Sequence, residues 1–199
     1  NYQIKNVIFK NLSYPKVKDK ILYSGINIIN STTQIENVKI LSSNSEDAIN
    51  IISSNSTIKN LYVEDIFSDA IDVDFGNLKF ENISCKNILN DCLDISNAVV
   101  MGNNLSGHDI NDKGLSFGES SSGKITNINF QNSKLGIAVK DGSVLSVSNY
   151  ILKNNEYDAA VFTKKKEYPG AKLELNNSIK KNDLNLLLGN NNIIINKDR

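Results

Sequence analysis

In the stretch SDAIDVD, residues 68–74, apolar and polar side chains alternate, and the same alternation returns at a nearly constant interval along most of the chain. Taking Asp69 as anchor, equivalent positions fall at Ser24, Asp47, Asp69, Asp91, Lys113, Leu135 and Asp158, spaced by 23, 22, 22, 22, 22 and 23 residues. Two places beyond each anchor stand Ile26, Ile49, Ile71, Leu93, Leu115, Ile137 and Ala160; four places beyond stand Ile28, Ile51, Val73, Ile95, Phe117, Val139 and Phe162. Period-two alternation with one face always apolar is the signature of a half-buried strand, here repeated once per turn of the chain.

A second register runs beside the first. Asn37, Asn60, Asn82, Asn104, Asn127 and Asn149 recur at the same interval, most of them followed by an apolar-x-apolar pair such as Leu61/Val63 or Ile83/Cys85. Five residues further on come Ser42, Asp65, Asn87, Asp109, Asn132 and Asn154. Asn and Asp tolerate the left-handed backbone of a sharp bend. Identical asparagines stacked at one bend would bond each to the next as a ladder.

Repeats of this length with short strands and polar bends predict a solenoid. The Leu-x-x-Leu-x-Leu pattern of leucine-rich repeats is missing. Three strands per coil, at AIDVD, NLKF and ISCK with bends at Phe75-Gly76, Asn82 and Asn87, predict an all-β parallel β-helix. Its hand is right by the chirality of parallel crossovers. About eight coils rising ~4.8 Å each would make a rod of roughly 40 Å. One domain spans 1–199: an irregular first coil at 1–23, including an excursion from Leu12 to Tyr23, regular coils over 24–182, and a last strand or frayed end at 183–199. Asn1 opens directly on strand-like YQIKNVIF, which reads as a module of a longer or processed chain with flanking domains or caps elsewhere.

Outward positions now carry the chemistry. Three places beyond the anchors lie Asn27, Asn50, Asp72, Asp94, Ser116, Ala138 and Val161; five places beyond lie Ile29, Ile52, Asp74, Ser96, Gly118, Lys140 and Thr163. Asp72 therefore stacks on Asp94 beside Asp74, with Asp69 and Asp91 at the rim. Like charges one strand spacing apart repel and raise each other's pKa unless compensated. Three compensations are open: calcium on Asp69, Asp72, Asp91 and Asp94, a shared proton that makes one acid a general acid, or Lys113 and Lys140 as counter-ions. Lys113 replaces Asp in the anchor slot, as a counter-ion or, with a lowered pKa, a base. The HDINDKGLSFGE segment places His108, Asp112, Lys113, Ser116 and Glu119 around one end of the same sheet, His108 as a polar bend residue. Lys164, Lys165 and Lys166 extend a strip running from acidic to basic. Asp72, Asp74, Asp94, Ser116, Glu119, Lys140 and Lys165 are the expected binding residues, suited to an extended anionic or hydroxyl-rich polymer.

Composition narrows the partners. Twenty-two basic and twenty-two acidic residues cancel, so the footprint of a nucleic-acid binder is missing. No apolar stretch is long enough for a membrane helix. Two cysteines without metal-ligand spacing and one histidine argue against zinc. Cys85 and Cys92 both occupy apolar slots and read as core packing.

The aligned coils resemble the pectate-lyase-like parallel β-helix superfamily, in which stacked asparagines recur. From Ser68 to Leu173 the pieces SDAIDVDFG, NDCLDIS, NDKGLSFGE, GIAVKDGS and AVFTKKKEYPGAKL resemble, in order, β-helix modules of bacterial proteins with CotH-like spore-coat kinase domains. That resemblance implies a secreted or cell-surface module binding a polysaccharide or protein partner without chemistry of its own. Calcium-dependent lyases with a lysine base are similar in one element, an Asp-x-x-Asp step with a downstream Lys, which maps onto Asp69, Asp91, Asp94 and Lys113. The paired acid of that element is Asn90-Asp91 here, one carboxylate short. By this alternative the chain is a polysaccharide lyase acting on uronates, with Lys113 or Lys140 as base. Hydrolysis by two stacked carboxylates is the third reading. Polygalacturonase-type hydrolases need a Gly-His-Gly and an Arg-x-Lys, whereas this chain has Gly107-His108-Asp109 and a single arginine, Arg199.

Overall fold

The computed structural model describes residues 1–17, 20–179 and 183–197; Arg199 lies outside them. In chain order the strands are β1 (Tyr2–Leu12), β2 (Lys16–Val17), β3 (Lys20–Ile21), β4 (Ser24–Ile29), β5 (Thr32–Ser43), β6 (Asp47–Ile52), β7 (Asn55–Ile66), β8 (Asp69–Asp74) and β9 (Asn77–Ile88). They continue with β10 (Leu93–Ser96), β11 (Val99–Gly118), β12 (Ser122–Lys140), β13 (Val144–Lys153), β14 (Tyr157–Phe162), β15 (Lys172–Ser178), β16 (Leu186–Leu188) and β17 (Ile193–Asn196). All but β2 and β3 belong to one sheet of parallel neighbours wound as a β-helix of about eight coils.

Each coil has three faces. The first carries β4, β6, β8 and β10 and the ends of β11 and β12, followed by β14 and β16. The second and third faces are one bent strand, as in β9, because hydrogen bonding continues through the asparagine corner. Asn37, Asn60, Asn82, Asn104, Asn127 and Asn149 all have φ between 53° and 62°. Their amides form the ladder: Asn60 Nδ2 donates to Asn37 Oδ1 at 2.8 Å, Asn82 to Asn60 at 2.7 Å and Asn104 to Asn82 at 2.8 Å. At the next rung Asn127 donates to Asn103 instead of Asn104. The second bend has its own shorter ladder, with Asn87 donating to Asp65 at 2.6 Å and Asn132 to Asp109 at 3.0 Å.

The inward residues of all three faces make one continuous core. Ile49, Ile71, Leu93, Leu115 and Ile137 are fully buried in a single column, flanked by Ile51, Val73, Ile95, Phe117 and Val139. Burial of each such side chain stabilises the fold by about 1.5–3 kcal/mol.

Three sequence expectations change. Residues Tyr2 to Leu12 are already a regular half-coil, paired in register with β5. The excursion is the short antiparallel pair β2–β3 with Tyr14 edge-on to Tyr23 at 6.2 Å. In the seventh coil, Leu135 pairs with Tyr157 rather than Asp158, so Ala159 and Val161 turn inward and Ala160 stacks on Ala138, with Phe162 beside Lys140. Both phases of AAVF are apolar, so alternation alone did not choose between them. The slip frees Asp158 to brace the corner, accepting from the Asn185 N–H at 3.0 Å and from Asn155 Nδ2 at 3.2 Å. Finally, Cys85 and Cys92 are core residues as expected but are joined as a disulfide. Cys85 points inward from the third face and Cys92 inward where the next coil begins, so the corner between them brings their Cα atoms to 5.9 Å.

Candidate functional site

The register aligns Asn50 with Asp72, Asp72 with Asp94, and Asp94 with Ser116, all on the outward side of the first face. Beside this column runs Asp74, Ser96 and Gly118, then Lys140. The anchor positions form the corner at its edge. There each aspartate serves the coil above: Asp69 Oδ1 accepts the Asp91 N–H at 2.7 Å, and Asp91 Oδ1 accepts the Lys113 N–H at 2.9 Å. Below them Asp47 Oδ2 accepts from Ser24 Oγ at 2.6 Å and from Asn50 Nδ2 at 3.1 Å. Asp69 and Asp91 thus carry a structural task that their spacing did not reveal.

Asn50 ties the corner to the column, since its Nδ2 also donates to Asp72 Oδ2 at 2.9 Å. Among the described residues its Oδ1 has no hydrogen-bond partner, and neither has Asp94 Oδ1 nor Ser116 Oγ. Asn50 is 8% exposed and Ser116 fully buried, despite facing outward from the sheet. Neither residue's depth was visible in its spacing.

The carboxylates are held far from their ordinary state. Burial, joined by the charges of Asp74, Asp47, Asp94 and Asp69, pushes Asp72 up to about 9. Burial, then the charge of Asp91, pushes Asp69 up to about 7. Asp91 is also raised by burial, to about 6, with Lys113 opposing the rise. Asp47 and Asp74 rise for the same primary cause, and a hydrogen bond with Asp72 restrains Asp74. Asp72 is therefore a neutral acid at neutral pH and a hydrogen-bond donor toward Asp74.

The lysines are counter-ions. Lys113 Nζ lies 3.2 and 3.3 Å from the two Asp91 oxygens and also contacts Asp112. Burial pulls its pKa down, but Asp91 and Asp112 together outweigh burial and leave it raised, the opposite of what a general base at neutral pH needs. Lys140 is almost wholly buried and reaches back across Gly118 until its Nζ is 4.0 Å from Asp94 Oδ1. A Cβ on Gly118 would stand 2.7 Å from Lys140 Cε, so a larger residue there would push the lysine off its present path. Lys165 pairs with Glu119. Its loop is pinned by buried Asp141, whose Oδ1 accepts the Lys164 and Lys165 N–H groups at 2.7 and 2.8 Å.

Among the described residues, no three His, Cys, Asp or Glu are grouped as a metal site requires. Of the four aspartates expected to hold calcium, Asp69 and Asp91 are turned to the corner backbone and to Lys113, and Asp72 to Asn50. The set does not converge on one point and does not fit the ion. His108 is not at this site. It pairs in register with Lys86 and Gln131 on the third face, its Nδ1 2.9 Å from Asp109 Oδ2, because the bend at Asp109 intervenes before the first face begins.

Comparison with known proteins finds no matching family model, no matching curated protein and no matching solved structure. No helix among the described residues is long and apolar enough to cross a membrane.

Proposed function

We propose that the chain is a polysaccharide-binding β-helix module of a secreted or cell-surface bacterial protein, of the kind that carries CotH-like spore-coat kinase domains, and that its ligand lies along the Asp/Lys face. One observation carries the reading: Asn50 Oδ1, Asp94 Oδ1 and Ser116 Oγ stand in one outward column, buried and without a hydrogen-bond partner among the described residues. A buried polar atom left unpaired in a native fold calls for a partner from outside the chain, such as an ordered water or a bound molecule. An extended chain of hydroxyl-bearing units matches a column whose groups recur once per coil, ~4.8 Å apart.

Two further features support this reading over its alternatives. A Lys113 held between Asp91 and Asp112 with a raised pKa favours binding over β-elimination by a calcium-dependent lyase. The Cys85–Cys92 disulfide favours an oxidising compartment, as expected of a secreted or surface protein. The test is calorimetric titration with a panel of neutral, uronate and amino-sugar oligosaccharides, alongside ultraviolet monitoring of uronate polymers for unsaturated products with and without calcium. Binding without product formation is the expected result. Product formation abolished by Lys113→Ala would replace the binding module with the lyase, and a panel with no ligand would reject both.

A further inference from the structure

We propose that the Asp/Lys face selects a polysaccharide bearing free primary amines, a de-N-acetylated amino-sugar chain, over a uronate or a neutral glycan. The inference rests on the polysaccharide reading above and names the class of polymer.

It follows from the balance of donors and acceptors. Both donors of Asn50 Nδ2 are already engaged by Asp47 Oδ2 and Asp72 Oδ2. What remains without a hydrogen bond in the column, among the described residues, is two acceptor oxygens, Asn50 Oδ1 and Asp94 Oδ1, and one hydroxyl, Ser116 Oγ, which can accept or donate. The two carboxamide and hydroxyl side chains among them are more than nine-tenths buried, so their orphaned atoms cannot be dismissed as solvated surface. Unpaired acceptors outnumber unpaired donors in this column.

Charge points the same way. Asp47, Asp69, Asp72, Asp74, Asp91 and Asp94 crowd the face and its corner; burial is the first cause of the raised pKa at Asp47, Asp69, Asp72, Asp74 and Asp91, and neighbouring carboxylates add to it at each of them. The lysines supply only part of the counter-charge. Lys113 is shared between Asp91 and Asp112, Lys165 is committed to Glu119, and Lys140 alone reaches the column, as a long ion pair with Asp94 at 4.0 Å. A uronate brings more carboxylate and only acceptors at its charged group, which adds repulsion. A neutral hydroxyl brings a donor but leaves the charge. A primary ammonium brings three donors, no acceptor and a positive charge, which is the complement of this surface. Bound beside Asp72 and Asp69, it would favour their ionised forms, so association would release protons.

The test is calorimetry in mildly acidic buffer, where the glucosamine amines are already protonated, with a glucosamine oligomer, its fully N-acetylated counterpart and an oligogalacturonate, each in two buffers of different ionisation enthalpy. The glucosamine oligomer is expected to bind about tenfold or more tightly than the acetylated one, with net proton release and weakening in salt. Asp94→Asn and Ser116→Ala should each lower that affinity about fivefold. Glu64→Gln, on the third face, should leave it unchanged. Equal affinity for the two glucosamine forms, tightest binding of the uronate, or wild-type affinity in Asp94→Asn would overturn the amine inference while leaving polysaccharide binding intact. Failure of all three oligomers to bind would remove the polysaccharide reading itself.

Discussion

Replacing Asp72 by Asn stabilises the fold, and stabilises it more as pH rises. Asp72 is pushed from 3.8 up to about 9, first by burial and then by four neighbouring aspartates. Between those limits the folded chain keeps a proton that the unfolded chain has released. The folded state binds more protons, so stability falls as pH rises through this window and is fully present only below the unfolded value. At pH 7 about three pH units separate the solution from that value, and at ~1.4 kcal/mol per unit the ceiling is ~4 kcal/mol. Partial solvent access and proton sharing with Asp74 reduce this to ~1–2 kcal/mol. An Asn side chain has the shape of the neutral acid, can accept from Asn50 Nδ2 and donate to Asp74, and has no charge to bury. Thermal unfolding followed by circular dichroism should therefore place the Tm of Asp72→Asn about 2–8 °C above the parent near pH 8. The gap should close toward about pH 4. An equal or lower Tm at the alkaline end, or a gap that does not change with pH, would refute the account of Asp72 as a neutral buried acid.

Other changes probe the rest of the framework. Asn82→Ala removes a rung that donates to Asn60 and accepts from Asn104 and leaves a methyl side chain at φ 62°, costing about 1–3 kcal/mol in urea denaturation. Lys113→Met strips the counter-charge from Asp91, which is 2% exposed; the loss should approach ~3–5 kcal/mol above neutrality and shrink in acid as Asp91 protonates. Gly102→Ala would set a methyl 2.0 Å from the Phe80 ring and should cost about 1–3 kcal/mol through overpacking; an unchanged denaturation midpoint would contradict the packing. Replacing Cys85 and Cys92 together by Ala should cost ~2.5 kcal/mol for so short a loop, and alkylation of the unfolded parent without reductant should find no free thiol.

The coil length, the bends at Asn82 and Asn87 and the stacking of Asp72 on Asp94 were all legible in the chain, because they depend on local events that the repeat restates coil after coil. An apolar residue at every second place, and an asparagine where the backbone must be left-handed, leave a trace in any single coil. The seventh coil was not legible, since AAVF satisfies either phase and only pairing with Leu135 to Lys140 chooses one. Nor was the position of His108, which depends on which side of the Asp109 bend the first face begins. Cys85 and Cys92 looked like ordinary core residues because a disulfide requires two inward side chains to meet across a corner, a property of the winding and not of either slot.

The candidate site divides in the same way. Sequence by itself determined that acids and lysines would share one outward face, because periodicity decides which side chains lie on which side of a strand. Tertiary structure alone decided their states: that Lys113 closes on Asp91, that Lys140 crosses Gly118 toward Asp94, that Asn50 and Ser116 are buried, and that Asp72 keeps its proton. Periodicity is a property of one strand, whereas desolvation, ion pairing and proton affinity depend on everything stacked above and below it.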